Sequence, residues 1–590
     1  MSVRGSAWLG FVPVICGVIT LLLLVVTIHR GFDFTDEGYG LLAVRWPGRG
    51  DVLSFYGYVL SAIETPFGFG IVTGRWTAIF LDIAGAALLS AGTLCWLPRV
   101  DNAPRLRWFT VIGFVTLGVL SAYGGTVVNT ASYNVLTAFG INLAIGGILL
   151  ATGAWDRIAG LSFFALSAAV LGLVLAFAGK PSSGAALILL FAVCIVPLIR
   201  EGKFALAFAG IAFGFIIGAG ILLFCIPDVM DAFRSLFITL RELSRAPGYN
   251  TRSDVIQIIV WGFASFVIAL CTLPFAFLYY CAANNILAKR IFVLIHGFVA
   301  VGSFLVACVI LKYWPFHFAF GFHVSFENFR PSVAAVFAIT LVAAVWITGL
   351  FREKKVPALR QIALATLLLA SPYTGAIGSN GGMFLPAYQY MGPWFVFLLL
   401  FCQAPFAELG EKFGLRLYSL LAVVVVLQVI ENHVFYPYRV PSTLFGQDMP
   451  ITGVPLARGV LVDASAKSAV EDAYAILHQR TDFKEGDIVL TSFGMPGMTY
   501  LLGGTSPGWS WYATDWIDVG CDVLQSENVD LHGAFILVNA TPEESFATCL
   551  RTRGANYPND YELAGSFQLS NRGPFGDLDV QILAPRDRLR

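Results

Sequence analysis

This chain is poor in charge. Only 13% of its 590 residues are Asp, Glu, Lys or Arg, the two signs balance at 37 each, and the formal net charge is zero. A nucleic-acid binder working through phosphate neutralisation needs a basic surplus, and this balance gives no reason to expect one. No internal repeat, low-complexity tract or basic patch offsets the balance. Cysteine is scarce as well. The ten cysteines include no CxxC or metal-type spacing, and eight of them lie in or beside apolar runs, where a thiol acts as a small hydrophobe. Cys521 and Cys549 are the exceptions, and an oxidising exterior would allow them to pair.

What the chain has instead is apolar sequence: 57% hydrophobic residues and a mean hydropathy of +0.75, which exclude an ordinary soluble domain. Runs long enough to cross a ~30 Å hydrocarbon layer begin near residues 8, 76, 108, 133, 158, 184, 204, 255, 288, 331, 357, 390 and 415, predicting about thirteen helices. The first run lacks a small-residue cleavage pattern after it and reads as a retained helix, not a removed signal peptide. With the N-terminus in the cytoplasm, every even-numbered loop carries the Lys and Arg residues that cytoplasmic loops accumulate, from Arg99, Arg105 and Arg107 to Lys412 and Arg416. An odd number of spans then puts everything after residue 432 outside.

That last part changes character. Segments 487–492, 533–539 and 578–583 read as strands and 463–479 as a helix, so residues 433–590 are expected to form an extracytoplasmic α/β domain after a transmembrane module at 1–432. The expected fold class is a polytopic α-helical membrane protein with an appended α/β domain. The Gly- and Trp-rich connection from Gly503 to Tyr512 reads as a packed aromatic loop or as a lid that touches a glycan.

The most informative segment is Gly31-Phe-Asp33-Phe-Thr-Asp36-Glu37-Gly38-Tyr39, three carboxylates directly after the first apolar span. It opens the first extracytoplasmic loop, residues 29–74, where juxtamembrane helices are expected. The spacing i, i+3, i+4 puts the acids on one face of a helix. One reading is local: Asp33 as N-cap, with Asp36 and Glu37 against the positive helix end. The other is catalytic, since acids at a membrane boundary are costly unless solvated or used. The stretch Tyr39 to Trp46 suits a helix lying along the interface.

These residues resemble the C superfamily of glycosyltransferases (GT-C), polytopic enzymes that use polyprenyl-phosphate sugars, and within it the protein O-mannosyltransferase and lipid A aminoarabinose transferase branch. The resemblance rests on the Asp36-Glu37 pair after the first helix, on Gly74-Arg75-Trp76 opening the second span, and on Lys180 in Ala178-Gly-Lys180-Pro-Ser-Ser-Gly184. It implies inverting transfer of a sugar from a polyprenyl-phosphate carrier to a hydroxyl of an envelope glycan, lipid or protein, outside a cytoplasmic membrane. It implies Asp36 as the catalytic base, with Glu37 orienting and Asp33 as substitute, and Lys180 and then Arg75 as contacts for the leaving phosphate. Arg245, in a loop with Arg234, Arg241 and Arg252, reads either as a further phosphate or anionic-lipid contact or as part of a solvated face or headgroup anchor.

The second acidic position of the family, before the fourth span, is filled here by Asn129-Thr-Ala-Ser132-Tyr133-Asn134. Asn129 and Asn134 are therefore expected to bind substrate rather than metal, and a divalent metal has no supporting ligand set. His317, in an aromatic loop, and Ser379 with Asn380, in a polar run between two apolar helices, are further substrate-binding candidates. A flippase or transporter of a lipid-linked substrate, or a non-catalytic envelope-assembly scaffold, are the competing classes. A transporter is expected to carry charges inside its spans and matched halves, and Asp82 is the main acid found there.

Overall fold

A computed structural model describes residues 3–590 apart from 50–52, 98–103, 125–128, 155–157, 200–201, 244–338, 379–385, 403–406, 513–516, 527–528, 540–543 and 571–575. Of residues 339–356 it describes only Ile339, Val342, Ala343 and Trp346. Eight helical stretches among these are long and apolar enough to cross a membrane. The helices of the first half run in order as α1 (Val3–Thr27), α2 (Asp36–Arg45), α3 (Tyr56–Glu64), α4 (Ile71–Trp96), α5 (Pro104–Leu120), α6 (Tyr133–Ala154), α7 (Ala159–Gly179), α8 (Pro181–Leu198), α9 (Phe204–Cys225) and α10 (Val229–Leu243). After the undescribed stretch come α11 (Leu359–Ala376), the short apolar α12 (Gly392–Phe401) and α13 (Ala407–Val429), the last of which continues as a π-helical turn to Phe435.

The expected spans near 357 and 390 correspond to α11 and α12, and neither is among the eight membrane-length stretches. The expected spans near 255 and 288 lie outside the described residues, and of the one near 331 only Ile339, Val342, Ala343 and Trp346 are described. Close packing in the bundle uses small residues. A Cβ on Gly140 of α6 would fall 2.5 Å from the Ala176 nitrogen of α7, and one on Gly172 would fall 2.5 Å from the Ala144 nitrogen, so both helices need glycine where they cross. In lipid, where no water is expelled between helices, such backbone approach supplies much of the association energy.

Between α1 and α4 the chain does not follow the membrane surface. It was expected that Tyr39 to Trp46 would lie along the interface, but Glu37 to Val44 of α2 are all buried. The reason is composition: Gly38, Gly40, Leu41, Leu42, Ala43 and Val44 leave α2 without a polar face to show to headgroups. It is covered instead by the C-terminal region, whose helix α15 (Pro496–Leu502) lies directly on it. The contact is backbone to backbone. A Cβ on Gly38 would come 2.1 Å from the Gly497 Cα, and the Gly497 N–H donates to the Phe34 carbonyl at 2.7 Å. Phe32, Phe34, Leu41 and Leu42 share one apolar core with Val470, Met498, Leu501 and Phe535.

The C-terminal region contains α14 (Ala464–Arg480), α15, α16 (Ile517–Ser526) and α17 (Glu544–Thr552). Its strands are β1 (Met449–Pro450), β2 (Leu461–Val462), β3 (Val489–Thr491), β4 (Phe535–Asn539), β5 (Tyr561–Leu569) and β6 (Leu578–Pro585). The main sheet has the order β3-β4-β6-β5, with β3 parallel to β4 and the other pairs antiparallel. The buried run of β4 suits its central place with two covered faces, and α14 packs on the β5 side. Cys521 of α16 and Cys549 of α17 are joined by a disulfide.

Candidate functional site

The turn that exposes the acids is built by the acids themselves. Asp33 Oδ1 accepts from the Thr35 N–H (2.9 Å) and from the Thr35 hydroxyl (2.5 Å), its Oδ2 accepts from the Glu37 N–H (3.2 Å), and the Asp33 N–H donates back to Glu37 Oε2 (3.1 Å). This reciprocal arrangement satisfies N–H groups that the start of α2 would otherwise leave orphaned. Burial pushes the Asp33 carboxyl up to about 6, with the Arg439 cation pulling the other way. Asp33 thus holds the turn.

Asp36 and Glu37 follow each other in the first turn of α2 and so point in different directions around the helix. Glu37 faces inward. Its two oxygens meet Arg75 of α4, from Nε at 2.8 Å and from Nη2 at 3.0 Å, and both side chains are almost fully buried (3% and 2% exposed). The remaining Arg75 donors go to the carbonyls of Ile28 (2.7 Å), Arg30 (3.1 Å) and Gly31 (2.6 Å). A guanidinium has five N–H groups, and all five are used. Arg75 was expected to meet the leaving phosphate at the start of the second span. The helix in fact begins at Ile71, which draws Arg75 into the interior, where it ties α4 to Glu37 and to the end of the first span.

Asp36 faces outward. Its side chain is 36% exposed, and Oδ2 accepts from the Tyr438 hydroxyl at 2.7 Å and forms an ion pair with Arg439 Nη1 at 3.3 Å. Tyr438 and Arg439 arrive from the segment that follows the last span, some 400 residues along the chain, and sequence reasoning passed over both. The one signal was their setting, Tyr436-Pro-Tyr438-Arg439-Val-Pro, a Pro-bracketed polar step just after an apolar helix. Arg439 is also the non-glycine residue with positive φ (+53°) among those described. Such backbone is uncommon and concentrates where side chains must be aimed. Arg439 donates to Thr35 Oγ1 (2.5 Å) and lies 4.7 Å from the ring centre of Tyr438 and 5.8 Å from that of Trp511. Burial lowers the Arg439 guanidinium, but Asp36, Tyr438 and Asp33 together raise it above its ordinary value. Burial and then Asp36 raise the Tyr438 phenol well above its ordinary value, so it stays a donor.

The other candidates divide. Lys180, buried in the extended joint between α7 and α8, donates to the Gly375 carbonyl at 3.2 Å and sits 5.6 Å from the ring centre of Tyr133. Tyr133 in turn acts electrostatically on Arg439, which links Lys180 to the surroundings of Asp36. Asn134 accepts from the Tyr390 hydroxyl at 2.9 Å. Asn129 lines a small cavity behind the acids with Asp33, Glu37, Arg75, Tyr123 and His433. Arg245, His317, Ser379 and Asn380 lie outside the described residues. No group of three or more His, Cys, Asp or Glu side chains placed to hold a metal ion occurs among the described residues.

One further acid lies on the inner side. Glu64, the last residue of α3, is buried, and neither carboxyl oxygen has a hydrogen-bond partner among the described residues. Burial raises it to about 8, with the Thr77 hydroxyl as a weaker opposing influence. It is therefore protonated at neutral pH.

The class of molecule defined by this architecture is a polytopic α-helical membrane protein with an α/β region after its last span. Among solved structures it is similar to ArnT from Cupriavidus metallidurans in the apo state, at 14% identity and a TM-score of 0.42, over 96% of this chain and 97% of that one. It is similar to the same protein bound to undecaprenyl phosphate, at 12% identity and a TM-score of 0.41 over the same shares. It is also similar to the Archaeoglobus fulgidus oligosaccharyltransferase in the apo form, at 11% identity and a TM-score of 0.45, over 91% of this chain and 70% of that one. No protein-family model and no curated protein matches the chain.

Proposed function

We propose that the protein is a GT-C-type glycosyltransferase that moves a sugar from a polyprenyl-phosphate carrier to a hydroxyl of an envelope acceptor, on the outer side of a cytoplasmic membrane. The observation that carries this reading is the setting of Asp36: a partly exposed carboxylate at the end of the first span, held by a phenol and a guanidinium while its neighbour Glu37 is buried. Asp36 takes the proton of the acceptor hydroxyl as the acceptor oxygen bonds to the anomeric carbon. The bond from that carbon to the carrier phosphate breaks, and the phosphate leaves as an anion without needing an acid. Positive charge gathers on the sugar in passing, and the same carboxylate favours it. One base and one displacement give inversion.

Arg439 and Lys180 are the cations assigned to the departing phosphate, since Arg75 has no donor left. Tyr438 fixes the rotamer of Asp36. The disulfide between Cys521 and Cys549 suits an oxidising exterior for residues 433–590, and the basic even-numbered loops suit a cytoplasmic N-terminus. The test is transfer of radiolabel from polyprenyl-phosphate-linked sugars in proteoliposomes. The unaltered protein is expected to produce a labelled product, and Arg439→Gln to lower its rate with the largest effect at low donor concentration. Labelling by neither protein, with flipping of the intact donor instead, would place it among transporters.

A further inference from the structure

Resting on the transferase reading, we infer that the acceptor is itself a saccharide, and that Trp511 of the C-terminal region is the residue that selects it. The Trp-rich connection is not a separate surface loop. Trp509 is buried against Tyr39 of α2 and Val519 of α16, and Trp511 and Tyr133 pack on that cluster. Trp511 stays partly exposed, with its ring centre 6.2 Å from that of Tyr39. Arg439 is a second neighbour: its guanidinium carbon lies 5.8 Å from the indole centre and its Nη1 3.3 Å from Asp36 Oδ2. The indole and the base thus adjoin the same guanidinium.

This pairing of surfaces distinguishes acceptor chemistries. A pyranose has a flat C–H face, which packs on an indole with its apolar area, and a rim of hydroxyls, which need charged or hydroxyl partners nearby. Trp511 offers the first, and Asp36, Arg439 and the Tyr438 hydroxyl offer the second. A Ser or Thr in a peptide has no flat face to use the indole, and a lipid alcohol has no rim to use the three polar groups. Packing of Trp511 against Trp509 and Tyr39 lowers the ordering cost of using it as a platform.

The experiment compares the unaltered protein with Trp511→Ala, Trp511→Phe and Asp36→Asn in proteoliposomes. The donors are a panel of radiolabelled polyprenyl-phosphate-linked pentoses and hexoses, and the acceptors are alkyl disaccharides or a Ser/Thr peptide. The disaccharide is expected to be labelled and the peptide not. Trp511→Ala should raise KM for the disaccharide at least tenfold while kcat and the donor KM move less than twofold, and Trp511→Phe should recover part of the loss. Because Trp511→Ala could disturb its surroundings, persistence of the Cys521–Cys549 disulfide is checked and the Phe variant serves as the conservative control. Unchanged KM in both variants, an equal change in donor KM, or labelling of the peptide alone overturns the inference while leaving the transferase reading intact. Full activity of Asp36→Asn, or no transfer to any acceptor by the unaltered protein, overturns that reading itself.

Discussion

Two adjacent carboxylates on one helix turn meet opposite fates. Glu37 is enclosed with Arg75, and every donor of that guanidinium is committed to Glu37 or to the carbonyls of Ile28, Arg30 and Gly31. Asp36 is left partly in solvent, with a phenol and a cation delivered from beyond the last span. The closed side is architecture: it fixes the end of the first span, the first loop and the second span to one another. The open side has the features chemistry needs, a reachable acid and nearby donors. Neither side chain's identity predicts this difference; the hundred degrees between successive helix positions does.

The comparison breaks most visibly if the closed side is cut. Arg75→Met or Glu37→Gln leaves a buried group without its partner, for which a loss of about 3–5 kcal/mol is expected. Thermal unfolding in detergent should show a large fall in midpoint for both, with little folded protein recovered. A small shift would mean that the inner pair is not what holds the loop.

Glu64 sharpens the same side through pH. Its folded value of about 8 lies above the ordinary carboxylate value of 4.5, so the folded state keeps a proton that the unfolded chain releases. Stability is then fullest below about 4.5, falls as the pH rises toward about 8, and levels off above. At pH 7 the ionisable side chain costs about 3 kcal/mol relative to one that cannot ionise. Glu64→Gln should therefore raise the unfolding midpoint near pH 7 and flatten its pH dependence across that window. An unchanged slope would show that the buried carboxyl finds a partner or solvent.

Gly38 tests the cover over the turn. Its substitution by Ala places a Cβ 2.1 Å from the Gly497 Cα, where only backbone movement can relieve the clash. About 1–3 kcal/mol of strain is expected, read as faster proteolytic release of residues after 433 while α1–α9 remain folded. Arg439→Lys should have the smallest structural effect. The charge stays near Asp36, the planar contacts with Tyr438 and Trp511 go, and the unfolding midpoint moves by less than about 1 kcal/mol equivalent.

Much of this was legible in the chain. The apolar runs gave the bundle where residues are described, and the first-turn positions of Asp36 and Glu37 followed from reading Asp33 as the cap, although the cap position falls to Thr35. Periodicity also located α14, β3, β4 and β6, while β5 (Tyr561–Leu569) was missed because a bulge between Leu563 and Gly565 breaks the alternation and leaves Glu562 and Leu563 both exposed. The role of Arg75 was not legible, because its helix starts five residues before the apolar run suggested. Tyr438 and Arg439 were not legible either. Sequence patterns report local periodicity, whereas these two act on α2 only because the region after residue 433 folds back over the first loop, a long-range contact with no local signature.

The most direct measurement of the central claim is the single-turnover transfer rate of Asp36→Asn, taken alongside its unfolding midpoint. The division between an open, chemical carboxylate and a closed, structural one predicts a rate lower by about 10²–10⁴-fold with the midpoint unchanged within about 1 kcal/mol. A rate near that of the unaltered protein, or a loss of rate that merely tracks unfolding, would contradict it.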